Sequence, residues 1–144
     1  MKTLMKNFKT ILIVTLILDV LQYIPLIIAK TGGAMQEQMI NDLGIEGLAE
    51  STAGIAVLDV MLYVFGFIMA GTIAAVIYSL TLKTLEGLKA ATFVLFIIHL
   101  FWTLPDFVTL LSGGSQHPPL PFMILTLLPI IGLFYVARNG ELKS

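Results

Sequence analysis

The sequence predicts an all-α integral membrane protein: a four-helix transmembrane bundle with both termini cytoplasmic and a short amphipathic helix in the first outer loop. Three observations predict it. Four long apolar runs divide the 144 residues; charged side chains make up 12% of the chain against 58% hydrophobic ones; and the basic residues gather on one side of a four-span topology. A soluble domain carries about 25% charged residues, so this composition suits helices that face hydrocarbon. A β-barrel is excluded because the runs do not alternate.

About 20 apolar residues cross the ~30 Å hydrocarbon core as a helix. The first run, residues 11–29, is interrupted by Thr15, Asp19 and Gln22 and predicts a helix over 9–30. It exceeds the apolar core of a cleaved signal peptide and carries an Asp, so it is expected to be retained. The loop that follows, 30–52, is acidic, with Glu37, Asp42, Glu46 and Glu50. Within it Met35, Met39, Ile40 and Leu43 recur at helical spacing, which predicts an amphipathic helix over Ala34–Leu43 that Gly44 stops. We read it as a lid packed on the bundle rather than a moving gate. The second run, 53–82, predicts a helix over 52–82 long enough that it must tilt, bend or project. A short loop makes it an antiparallel hairpin with the third helix, 88–111, whose run contains His99, Pro105 and Asp106. Gly113, Gly114, His117, Pro118 and Pro119 then predict a turn and a rigid start to the fourth helix, 119–138. The whole chain, 1–144, is one domain.

Lys2, Lys6, Lys9, Lys83, Lys89, Arg138 and Lys143 share one side of this topology, and only Lys30 lies on the other. The positive-inside rule then puts both termini in the cytoplasm. The host membrane is expected to be a bacterial or archaeal cell membrane. With no cysteine, disulfides, thiolate metal sites and a cysteine nucleophile are excluded. Nine acidic and eight basic residues nearly cancel and no basic stripe is interleaved with aromatics, so no nucleic acid partner is expected. Phosphate-loop, dinucleotide, zinc-protease and serine-hydrolase motifs are missing. Two histidines make a poor metal set. No catalytic residue, cofactor or metal is therefore assigned.

The informative residues are polar ones inside the apolar runs, where an ionisable group costs at least ~2.5–3.5 kcal/mol near the bilayer centre. Asp19 lies ~12 Å into the first run, with Thr15, Gln22 and Tyr23 on its face. Asp59 lies ~9 Å into the second, sharing a face with Tyr63 and Gly66. His99 and Asp106 fall ~14 and ~24 Å into the third, on a stripe with Thr92, Phe96 and Thr103. These depths make two layers, Asp19 with His99 at mid-membrane and Asp59 with Asp106 nearer the outer face. We expect a polar cavity between the first three spanning helices, opening outward, with an Asp19–His99 hydrogen bond or ion pair offsetting the burial of both. The candidate ligand or proton site is Asp19, Gln22, Tyr23, Asp59, Tyr63, His99, Trp102 and Asp106. The alternative is that each polar group only bonds a neighbouring helix. Gly66, Ala70 and Ala74, spaced by four, are expected to let a helix pack closely inside the bundle, a homodimer contact being the alternative.

Chain length, the long first outer loop, the tight hairpin between Tyr78 and Ala90 and the cytoplasmic ends together resemble the DoxX-like small four-helix membrane proteins of bacteria. The resemblance is one of layout over most of the chain. It implies the four-helix fold and no particular activity.

Three function classes remain. One is a non-enzymatic membrane protein that binds a small apolar or cationic ligand, or assists a larger membrane complex, through the polar cavity. The second is a proton-coupled small-solute carrier or pore, acting as an oligomer through Asp19. The third is an intramembrane enzyme. Ligand binding predicts a closed, aromatic-lined pocket near Tyr23, Tyr63 and Trp102.

Overall fold

A computed structural model of the chain describes residues 7–30, 32–114 and 117–142. Lys2, Lys6 and Lys143, used in the orientation argument, lie outside the described residues. Five helices follow in order: α1 (Phe8–Lys30), α2 (Ala34–Leu43), α3 (Thr52–Ser79), α4 (Leu85–Leu111) and α5 (Leu120–Asn139). All but α2 are long and apolar enough to cross a membrane, and there is no strand among the described residues. The protein is an all-helical, four-span bundle.

Local chemistry sets the helix ends. Gly44 takes a left-handed conformation (φ 61°) and donates its N–H to Asn41, closing α2 where the sequence places its stop. Ser51 starts α3, its Oγ accepting the Gly54 N–H at 3.0 Å. Thr84 does the same for α4 through Gly87 at 3.2 Å. That cap starts α4 three residues before the predicted 88, and α3 ends at Ser79 rather than 82, so the hairpin loop is 80–84. Pro119 and Pro121 flank the first residue of α5, where a missing N–H is harmless.

In the bundle α1 lies between α3 and α5, and α4 packs most closely on α5 and least on α3. The ring order is thus α1, α3, α4, α5, with α1 and α4 facing each other across a diagonal. The end that carries both chain termini is filled by one apolar cluster drawn from all four spans: Phe8, Leu12, Val76, Leu88, Leu95, Leu133 and Val136. The opposite end has a smaller cluster of Ala29, Leu58 and Leu62, covered by Met35, Met39, Ile40 and Leu43 of α2. The predicted apolar stripe of α2 thus packs onto α1 and α3, as a lid does. The outward faces of the spans hold many exposed large apolar side chains, including Ile17, Val60, Phe67 and Phe101. In water such surface would be a strong aggregation hazard; in lipid it is the solvent-matched face.

Close helix approach does not occur where the sequence suggested it. A Cβ on Gly66 would meet nothing within 4 Å, and Ala74 is exposed, so the Gly66, Ala70 and Ala74 stripe is not buried against a helix of this chain at those two positions. The tight contacts are elsewhere. At Gly132 of α5, a Cβ would come 3.1 Å from the Ile11 side chain of α1, and at Gly140 it would collide with the Phe8 ring. The four-residue period of small side chains pointed at α3, but the bundle's shape needs room where α5 crosses α1.

Candidate functional site

Asp19 sits at the midpoint of α1, eleven residues from Phe8 and eleven from Lys30. His99 is within two residues of the midpoint of α4. Both helices leave the termini end in the same direction, so the two side chains reach the same depth. They meet across the diagonal, with His99 Nε2 3.0 Å from Asp19 Oδ1. Asp19 is 2% exposed and His99 9%. The pairing expected from helix depth alone is present, but packed shut rather than lining an open cavity.

The protonation of this contact follows from its second partner. His99 Nδ1 lies 2.8 Å from the Leu95 carbonyl oxygen. A carbonyl can only accept, so Nδ1 carries a hydrogen and donates it. Nε2 then has two options. A doubly protonated ring donates Nε2–H to an Asp19 carboxylate, or a singly protonated ring accepts from a protonated Asp19. Either way one proton lies between Oδ1 and Nε2, and the pair is neutral overall. If that proton leaves, two lone pairs face each other and a bare negative charge remains at mid-membrane, where insertion of a carboxylate costs at least ~2.5 kcal/mol.

Several hydroxyls are buried along the spans, and they differ in whether they have a partner. Thr72, Ser79 and Thr92 donate to carbonyls one turn back in their own helices, at 3.0, 2.7 and 2.7 Å, and are thereby satisfied. Thr15 Oγ1 and Asp19 Oδ2 are buried and have no hydrogen-bond partner among the described residues. They stand one turn apart on a single face of α1. Both atoms can accept a hydrogen bond, and the Thr15 hydroxyl can also donate one.

Two prolines missed as a pair in the sequence complete the arrangement. Pro25 lies six residues beyond Asp19 and Pro105 six beyond His99. Each stands ~9 Å beyond the level of the pair and lacks an N–H, so the carbonyls of Leu21 and Phe101, only ~3 Å beyond that level, lose their usual helical partner. Helices α1 and α4 therefore each carry a weak point at one depth, on the side away from the termini. The signal was the equal offset from the two ionisable residues.

The chain matches no protein-family model, no curated protein and no solved structure. Its site therefore has to be read from its own geometry.

The other predicted residues separate from the pair. Asp59 is exposed and accepts a 3.0 Å hydrogen bond from Gln36 Nε2, which ties α2 to α3 at the surface. Trp102 stands edge-on to Phe65 of α3, ring centres 5.5 Å apart, and braces the sparsely packed α3–α4 side. Gln22 and Asp106 are half-buried. Tyr23 and Tyr63 do come together, but in an open groove of about 250 Å³ between α1 and α3 instead of a closed pocket. Gly66 leaves room in its floor and Lys30 stands at its rim, the ammonium 3.1 Å from the Tyr63 ring centre. Trp102 takes no part in it. Among the described residues, no group of three or more metal-ligating side chains exists.

Proposed function

We propose that this multi-pass membrane protein is proton-linked, and that the proton held between Asp19 and His99 is the one it exchanges. The single observation that supports this is the buried 3.0 Å contact at mid-span, whose Nδ1 partner requires a shared proton. A pair that is neutral with the proton and charged without it senses occupancy strongly in hydrocarbon. Loss of the proton turns an attraction between α1 and α4 into a repulsion. The segments beyond Pro25 and Pro105 are then free to swing, which would open the pair toward the α2 end. The basic residues at the termini end support a cytoplasmic position for both termini.

The test is flux. Protein reconstituted in liposomes with an internal pH dye should dissipate an imposed pH gradient faster than empty liposomes. Asp19→Asn should abolish that flux while helix content is retained. The reading is overturned if Asp19→Asn lowers only thermal stability and leaves flux unchanged, or if the unaltered protein conducts no protons. In that case the pair is a structural clamp between diagonal helices.

A further inference from the structure

We infer that the groove between α1 and α3 is a binding site for a phospholipid with a primary-amine headgroup, a phosphatidylethanolamine. Three features are arranged along α3 in the order such a lipid needs. Deepest are the apolar groove residues Leu26, Gly66 and Phe67. One turn nearer the α2 end is Tyr63, with the Lys30 ammonium over its ring. One further turn out is the exposed carboxylate of Asp59. A lipid in that leaflet runs the same way: acyl chain toward the centre, phosphate next, amine outermost.

Charge complementarity selects the headgroup. Lys30 is the one lysine or arginine at the α2 end, amid Glu37, Asp42, Glu46, Glu50 and Asp59. Its ammonium rests on a ring face instead of a carboxylate, which leaves hydrogens free to donate to a phosphate. A purely anionic headgroup would set its negative charge against Asp59. An ammonium placed ~6 Å outward of the phosphate meets Asp59 instead, since consecutive turns on one helix face are separated by that rise. Asp59 keeps acceptor capacity for it, because Gln36 uses Oδ1 and a carboxylate has about four lone-pair directions. A quaternary amine has no N–H to give. At the groove floor a Cβ on Gly66 would meet nothing within 4 Å, so there is space for an acyl chain rather than for a neighbouring helix.

This site goes beyond the proton-linked reading and stands without it, because it shares no residue with the Asp19–His99 pair. The test is native mass spectrometry of the purified full chain, titrated separately with phosphatidylethanolamine, phosphatidylglycerol and phosphatidylcholine of identical acyl chains. Phosphatidylethanolamine should be retained best. Lys30→Gln should weaken its retention about tenfold, the loss of roughly one charged hydrogen bond. Asp59→Asn should remove the preference over phosphatidylglycerol while leaving phosphate-driven binding in place. Gly66→Leu should displace all three lipids. Circular dichroism of each variant checks that helix content is kept. Equal retention of the three headgroups by the unaltered chain overturns the proposal. So does ethanolamine-lipid binding that survives both Lys30→Gln and Gly66→Leu in folded protein.

Discussion

The two ends of the bundle are built on different terms. At the termini end all four spans contribute to one apolar cluster, and two glycines bring α5 against α1 and Phe8. At the α2 end α1, α2 and α3 share a cluster to which α4 and α5 do not belong; Pro25 and Pro105 lie in that half of α1 and α4, and Pro129 at the middle of α5. The first end is held by packing drawn from every neighbour, so no helix there can move alone. The second buries Met123 of α5 and Thr103 of α4 outside its cluster, and adds a small lid, a surface hydrogen bond and an edge-on ring pair, each of which can yield separately. The Asp19–His99 pair sits at the boundary between them. A charge change at that level can therefore be resisted below and expressed above, which is what a coupling element requires.

The largest effect expected from that picture comes from removing one partner of the pair. His99→Leu leaves the buried Asp19 carboxyl without its proton-sharing nitrogen and should cost about 3 kcal/mol, the lower part of the range for orphaning a buried ion. Unfolding by detergent titration in mixed micelles measures it. Asp19→Asn keeps a donor toward Nε2 and should cost only about 1 kcal/mol. If the two variants are equally mild, the boundary is not held by the pair and the comparison fails at its centre.

Next in size is the contrast between the ends themselves. Leu133→Ala, at a fully buried position of the termini cluster, should cost about 2 kcal/mol in the same assay. The loss is one of packing contacts, since the unfolded helix would still face lipid rather than water. Leu26→Ala, half-buried at the α2 end, should cost less than about 1 kcal/mol. Equal costs would mean that the α2 end is as tightly packed as the other.

What the sequence disclosed, and what it hid, divides along physical lines. Depth along a helix is a matter of counting, so Asp19 and His99 could be matched across eighty residues of chain before any contact was known. The amphipathic α2 was equally plain, because Met35, Met39, Ile40 and Leu43 form one stripe and Gly44 ends it. Azimuth was less legible: α3 is apolar over most of its circumference, and its few polar residues did not tell which side meets a neighbour. That is why Gly66 seemed a packing residue and Gly132 passed unnoticed. Asp59 and Asp106 both lie toward the α2 end of their helices, yet shared depth does not say which neighbour a side chain has. Asp59 turned to Gln36 of the lid, and Trp102 to Phe65.

A smaller effect concerns the lid. Gln36→Ala removes the hydrogen bond to Asp59 at an exposed site and should change global stability by about 0.5 kcal/mol or less. Its local consequence should be larger than its global one. Amide hydrogen exchange across Ala34–Leu43 should accelerate several-fold, with Leu88 and Leu95 of α4 unaffected. Exchange that accelerates at both ends together would show that the lid and the far cluster open as one unit.

The smallest stability effect, and the sharpest in what it separates, is that of Gly66→Ala. The position is helical and a methyl group there would touch nothing within 4 Å, so the folded chain has no reason to object. Alanine also favours helix over glycine by up to ~1 kcal/mol, less in lipid where the unfolded reference is already helical. The expected change is therefore zero or slightly stabilising in dilute detergent. A loss above about 1 kcal/mol in that setting would require a neighbour that this chain does not supply, either a helix of a second copy or a tightly held lipid. Repeating the titration over a tenfold range of protein concentration distinguishes them, because a contact between copies weakens on dilution and a lipid contact does not. A loss that shrinks with dilution would return Gly66, Ala70 and Ala74 to a packing role, between molecules rather than within one.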